Sequence, residues 1–197
     1  MAEPVSLTET SPSMAVVQAQ FERAGLQLDG TCVGLSRYGL QWRQTAALLE
    51  DLTNEEADTL GDLMPLVRAR AGQDLITEGD MGDWMLLLLS GTVDVIKTSD
   101  AGVVSRLAVI KQGAAVGEMS MLDTAPRYAT CRAIEDVQAG VLTRVTITHL
   151  IQDHPAIGAK LLVKLTQLLA QRLRNTSNRL VKLLRTTGAT VPDIAPD

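Results

Sequence analysis

Cysteine, histidine and aromatic residues are scarce in this 197-residue chain, and each scarcity removes a class of function. The two cysteines, Cys32 and Cys131, have no paired spacing, which excludes a disulfide framework and a zinc knuckle and fits a reducing cytoplasm. The two histidines, His149 and His154, lie five residues apart on a helical pattern and cannot build a histidine-rich metal centre. Five aromatics, Phe21, Tyr38, Trp42, Trp84 and Tyr128, are too few for a platform that stacks single-stranded bases. The longest unbroken apolar run, Trp84 to Leu89, falls far short of the roughly 20 residues a membrane span needs, and residues 1 to 20 hold no basic segment followed by an apolar stretch. No nucleophile elbow, zinc signature or Walker loop occurs, so neither catalysis nor a cofactor is expected.

Hydrophobic residues make up 46% of the chain and charged ones 21%, the balance of a globular protein with one core. The net charge of −5 conceals an asymmetry. Residues 1–155 carry 11 basic and 21 acidic side chains, whereas 156–197 carry 7 basic and 2 acidic ones. The body is acidic and the C-terminal segment basic.

Four regions follow from the patterning. Residues 1–46 read as a polar N-terminal arm through about Ser13, followed by a short helix with Val17, Phe21 and Ala24 on one face. Residues 47–145 open with a capping box, Thr53-Asn54-Glu55-Glu56, whose helix should run to about residue 64. Short β-like runs then alternate with turns: Leu75 to Glu78, Met85 to Leu89, Thr92 to Ile96, Val104 to Ile110, Ala129 to Ile134 and Val141 to Val145. Such spacing predicts an antiparallel sandwich or barrel, and the non-alternating Leu86 to Leu89 predicts a strand buried on both faces. In 146–188 the period returns to 3.6, with a short helix over Thr146 to Asp153 and a helix of about 30 residues from Pro155 to a C-cap at Gly188. Residues 189–197 read as a disordered tail. Leu162, Leu165, Leu169, Leu173, Thr176, Leu180 and Leu184 form an 11-residue repeat that keeps one apolar stripe on the long helix and calls for a partner surface.

The motif that carries chemistry is Gly117-Glu118-Met119-Ser120, followed by Pro126-Arg127-Tyr128-Ala129-Thr130. A glycine opening a helical turn lets backbone N–H groups face an anion, and an arginine can clamp that anion with its planar fork. A carboxylate beside a bare phosphate is repelled, so Glu118 fits only if the ligand also offers a hydroxyl. Phosphate plus sugar hydroxyl describes a nucleotide.

Here the sequence resembles the cyclic nucleotide-binding domains of the catabolite activator and protein kinase A regulatory subunit type, over roughly residues 47–178. The resemblance takes in the Glu78-Gly79-Asp80 turn, the Ser90-Gly91 turn and the whole cassette from Gly117 to Thr130. It implies an α+β fold: a jelly-roll β-barrel with N-terminal helices, then a hinge helix and a long C-helix. By the same resemblance Arg127 binds the cyclic phosphate and Glu118 the ribose 2′-hydroxyl. Arg172-Leu173-Arg174-Asn175-Thr176-Ser177 looks like the helical segment that caps the base and forms a dimer seam, which assigns base capping to Thr176 and Ser177. Two positions depart from the pattern: Val116 replaces a frequent aromatic, and Tyr128 stands where kinase-type domains carry a small residue.

The expectation is a stand-alone sensor of a cyclic nucleotide, cAMP first and cGMP or cyclic di-GMP as alternatives. It would act as a homodimer through the C-terminal helix and signal to an effector protein. Only 20 residues follow Ser177, so no helix-turn-helix domain and no sequence-specific DNA binding are expected. The competing readings are DNA contact through the basic helix and a ligand-blind scaffold.

Overall fold

The computed structural model describes residues 12–38, 42 and 45–186, in the order α1 (Pro12–Arg23), β1 (Gln27–Thr31), α2 (Asn54–Asp62), β2 (Pro65–Ala69), β3 (Asp74–Ile76), β4 (Trp84–Ser90), β5 (Thr92–Thr98), β6 (Val104–Lys111), β7 (Ala115–Val116), α3 (Glu118–Asp123), β8 (Thr130–Ala133), β9 (Val137–Thr143), α4 (Arg144–Asp153) and α5 (Pro155–Thr186). Helix starts follow local chemistry. Thr53 Oγ1 accepts from Glu56 N–H at 3.2 Å while the Glu56 carboxylate accepts from Thr53 N–H at 2.7 Å, the reciprocal box that opens α2. Thr143 Oγ1 caps α4 by accepting from Thr146 N–H at 3.0 Å, so the helix begins at Arg144, two residues before the start read from periodicity.

The strands form two antiparallel sheets, β1-β2-β9-β4-β7 and β3-β8-β5-β6, which close into the jelly-roll of the expected α+β fold. Side chains alternate along a strand, so β4 faces two cores at once. Leu86 and Leu88 point into the barrel with Val67, Val93, Cys131 and Val141, whereas Met85, Leu87 and Leu89 pack under the helices with Leu60, Leu150, Leu161 and Leu165. Its six consecutive apolar residues are therefore all buried. Cys32 and Cys131 are buried and free, in different cores, and burial pushes both thiols up to about 12.

Three features extend or correct the patterning. The short helix expected after the arm is α1, with Val17 and Phe21 in the barrel core and Ala24 packed against it just past the helix end, and the same region adds the unexpected β1, which pairs with β2. The 11-residue stripe splits between two surfaces: Leu165 joins the helical core, while Leu162, Leu173 and Leu180 stay exposed. Two basic residues near the start of α5 are drawn onto the acidic body, Lys160 to Glu56 at 2.6 Å and Lys164 to Glu50 and Asp51 at 2.7 and 3.0 Å. The arm through residue 11, the Gly188 cap and the tail lie outside the described residues.

Candidate functional site

Gly117 turns the chain out of β7 in the left-handed region, at φ 84°, and its missing side chain makes room for an arginine. A Cβ there would stand 2.8 Å from Ile76 and 3.0 Å from Arg127 Nη1. Arg127 fills that space, donating from Nη1 to the Gly117 carbonyl at 2.8 Å. Its backbone is tied to the Glu78-Gly79-Asp80 turn, with Arg127 N–H donating to Asp80 O at 2.8 Å and Gly79 N–H donating to Arg127 O at 2.9 Å. The guanidinium is buried and lies over the Trp84 indole, 4.2 Å from the ring centre. Burial pulls its pKa down to about 10, against the opposing pull of nearby acidic groups that include Asp83 and Glu118. Nη2 is buried without a hydrogen-bond partner.

Glu118, the first residue of α3, is fully buried. Its Oε1 pairs with Arg172 of α5, and its Oε2 is buried with no partner. Arg172 is anchored a second time, Nη2 donating to the Ala115 carbonyl at 2.6 Å. Two turns of helix further on, Arg179 Nη1 donates to Leu107 O of β6 at 3.1 Å. Helix α5 thus lies across the mouth of the site and is pinned to both sheets.

Between them is a cavity of about 390 Å³. Ile76, Val95, Leu107, Ala108, Ile110 and Val116 make its apolar walls; Gly117, Glu118, Met119, Ser120 and Arg127 line its polar part; Arg172, Asn175, Thr176 and Arg179 line it from α5. Tyr128, Ala129 and Cys131 also line it. Tyr128 is more than half exposed, and Lys97 sits 4.5 Å from its ring centre while donating to its carbonyl at 2.8 Å. Lys97 also pairs with Glu78 at 2.7 Å, and that pairing, with the Thr98 N–H, holds the Glu78 carboxyl below its usual range.

Of the residues singled out in the sequence, Gly117, Glu118, Met119, Ser120, Arg127, Tyr128, Ala129 and Thr176 meet around this cavity. Pro126, Thr130 and Ser177 do not line it. Pro126 and Ser177 are exposed, and Thr130 Oγ1 instead accepts from Glu78 N–H at 3.0 Å. Sequence reasoning missed Arg172, Asn175 and Arg179, although a signal was there. Leu161, Leu165, Leu168, Arg172, Thr176 and Arg179 recur at helical spacing, so the face that starts in the core must end over the barrel. Among the described residues no cluster of His, Cys, Asp and Glu is built to hold a metal ion, and no helix is long and apolar enough to cross a membrane.

Residues 66–154 match the family model described as cyclic nucleotide-binding domain. A CRP-like cAMP-activated global transcriptional regulator of Mycobacterium tuberculosis is 31% identical over 115 residues, 58% of this chain and 50% of that protein. Among solved structures, the fold resembles a cyclic nucleotide-binding domain from Methylobacillus flagellatus, with 33% identity, 86% of this chain and 92% of that chain covered, and a TM-score of 0.72. It also resembles the catabolite activator protein of Thermus thermophilus, with 32% identity, 70% and 62% covered, and a TM-score of 0.63. The chain spans half the length of the mycobacterial regulator.

Proposed function

The chain belongs to the cyclic nucleotide-binding domain family, and from that premise we propose that its cavity binds one cyclic mononucleotide, cAMP first, as a regulatory and not a catalytic site. One observation carries this reading: a buried cation and a buried carboxylate, each with an unpartnered polar atom, line a single cavity lidded by a helix. A phosphate is held by Arg127, and the same ligand must offer a hydroxyl to be tolerated by Glu118. A ribose cyclic phosphate meets both demands. Its base then reaches the apolar walls, with Tyr128 at the edge and Asn175 and Thr176 above. A cavity of 390 Å³ lies near the lower end of the roughly 300 to 1,000 Å³ of small-molecule sites, which favours cAMP or cGMP over the larger cyclic di-GMP.

The ribose hydroxyl test separates this reading from generic anion binding. Glu118→Ala is expected to weaken cAMP binding about 2- to 10-fold more than it weakens 2′-deoxy-cAMP binding, because the lost Arg172 pair is common to both ligands and only the ribose hydrogen bond differs. Equal losses for both ligands would detach Glu118 from the ribose.

Occupancy is reported by α5 to a second subunit or an effector protein. Ligand and Arg172 meet at the same carboxylate, so binding favours one placement of the helix over another. The outer stripe supports a homodimer: Leu162, Leu173, Leu180 and Leu183 are exposed, at 39%, 69%, 56% and 62%. Sedimentation is expected to show a dimer that Leu173→Glu with Leu180→Glu converts to a monomer. A wild-type monomer at every accessible concentration, with and without cAMP, would rule the seam out. Two reduced, buried cysteines in separate cores fit a cytoplasmic setting. The inward ion pairs of Lys160, Lys164 and Arg172 argue against use of the basic helix as a nucleic-acid or membrane patch.

A further inference from the structure

Three side chains that line no part of the nucleotide cavity hold the guanidinium that does. Trp84, buried at the start of β4, places its indole against Arg127. The same indole is held by α1. Phe21 meets it edge-on, ring centres 4.7 Å apart and planes at 72°, and Trp84 Nε1–H donates to Gln20 Oε1 at 2.8 Å. Gln20 Nε2 in turn donates to the Met81 carbonyl, in the loop that wraps Arg127. That loop leaves no slack: a Cβ on Gly82 would stand 2.5 Å from Arg127 Nη2. Between α1 and the guanidinium there is room for only about 20 Å³.

A guanidinium stripped of water must find its stabilisation in the protein, and an aromatic face attracts a cation most strongly when both are desolvated. The indole face also backs the fork that would meet a phosphate and so limits where it can sit. Whatever moves the indole moves that fork. Trp84 cannot shift without breaking its bond to Gln20 and its contact with Phe21, so the seating of α1 and the aim of Arg127 are one structural variable.

We propose that Gln20, Phe21 and Trp84 are positioning residues for Arg127, so that docking of the N-terminal helix α1 and occupation of the cavity by a cyclic phosphate are coupled. This rests on the nucleotide reading of the cavity. The coupling is reciprocal: a seated α1 raises nucleotide affinity, and bound nucleotide protects α1. The N-terminal helix is then a second input or output of the domain, on a different element from α5.

The test is a double-mutant cycle read with cAMP. Trp84→Leu is expected to weaken binding about 10-fold, Gln20→Ala about 3-fold, and Trp84→Phe, which keeps a ring face, less than about 3-fold. In the Arg127→Ala background Trp84→Leu should cost nothing more, because the group it aims is gone. Hydrogen exchange of residues 14–23 should slow when cAMP is added to wild type and not when it is added to Arg127→Ala. Wild-type affinity in Trp84→Leu, or an equal loss with and without Arg127, would overturn the coupling, since a merely packed indole acts on the barrel and not through one side chain. Should Trp84→Leu fail to fold, the same cycle on Gln20→Ala decides. A flat wild-type titration would overturn the nucleotide reading, and this inference with it, and is distinct from wild-type binding that Trp84→Leu leaves untouched.

Discussion

Arg127→Ala is expected to weaken cyclic nucleotide binding about 10- to 150-fold while the barrel stays folded. The estimate follows from the worth of a charge-assisted hydrogen bond, about 1.5 to 3 kcal/mol, with tenfold in affinity per 1.4 kcal/mol. Folding should survive because the charge is a burden on the ligand-free protein. Burial lowers the Arg127 pKa to about 10, well below the usual guanidinium range, so the folded state binds the proton less tightly than the unfolded one. The penalty is present in full below about pH 10 and is relieved as pH rises from there towards the ordinary guanidinium value. Removing the charge removes the penalty, and a bound phosphate offsets it. The relieved penalty is set against the lost Gly117 bond and Trp84 contact, so denaturant melts without nucleotide should stay close to wild type, while the melting-temperature rise that nucleotide gives wild type should collapse in the variant. Unchanged affinity would take Arg127 out of the site.

Arg172→Ala should release the distal half of α5. Beyond Leu165 none of its described residues is fully buried, and Arg172 and Arg179 bond it to the body. Deleting Arg172 leaves the Glu118 carboxylate buried with neither oxygen paired. Breaking a buried pair costs about 3 to 5 kcal/mol; with Arg172 39% exposed, about 2 to 3 kcal/mol is the better figure here. The strain is relieved by undocking the helix and letting water reach Glu118, so amides of 172–186 should exchange at least about tenfold faster. Nucleotide should no longer slow them. Wild-type protection in this variant would mean that α4 and the Gly158 contact with Ile151 hold the helix unaided.

The parts of this molecule that were legible in the sequence are those written in local chemistry. Thr53 and Glu56 announce α2 because two backbone N–H groups need acceptors three residues apart. Leu86 to Leu89 announce a doubly buried strand because no polar face interrupts them. Gly117 and Arg127 read as an anion site because a glycine opening a helical turn frees backbone N–H groups and an arginine offers a planar fork, and the structure brings the two together, Arg127 Nη1 on the Gly117 carbonyl. Long-range features were hidden. Gln27–Thr31 shows no alternation, since β1 is an edge strand with an exposed-to-intermediate surface, and its pairing with β2 is set by the barrel. Arg172 looks like any basic residue on a helix until α5 crosses the barrel and brings it to Glu118, 54 positions earlier in the chain. The charge asymmetry was visible as a sum, but its meaning is in the pairs: Lys160 with Glu56 and Lys164 with Glu50 and Asp51 clamp the base of α5 to the body. Likewise the leucine stripe was read as one face, whereas Leu165 serves the core and Leu162, Leu173 and Leu180 face out.

The central claim, that the cavity under α5 binds a cyclic mononucleotide through Arg127 and Glu118, is tested most directly by calorimetry with cAMP, cGMP and cyclic di-GMP on the wild-type chain and on Arg127→Ala. Saturable binding of cAMP at one per chain, strongest among the three and weakened at least about tenfold by Arg127→Ala, is the expected result. No measurable heat with any of the three, or cAMP binding that Arg127→Ala leaves unchanged, would contradict it.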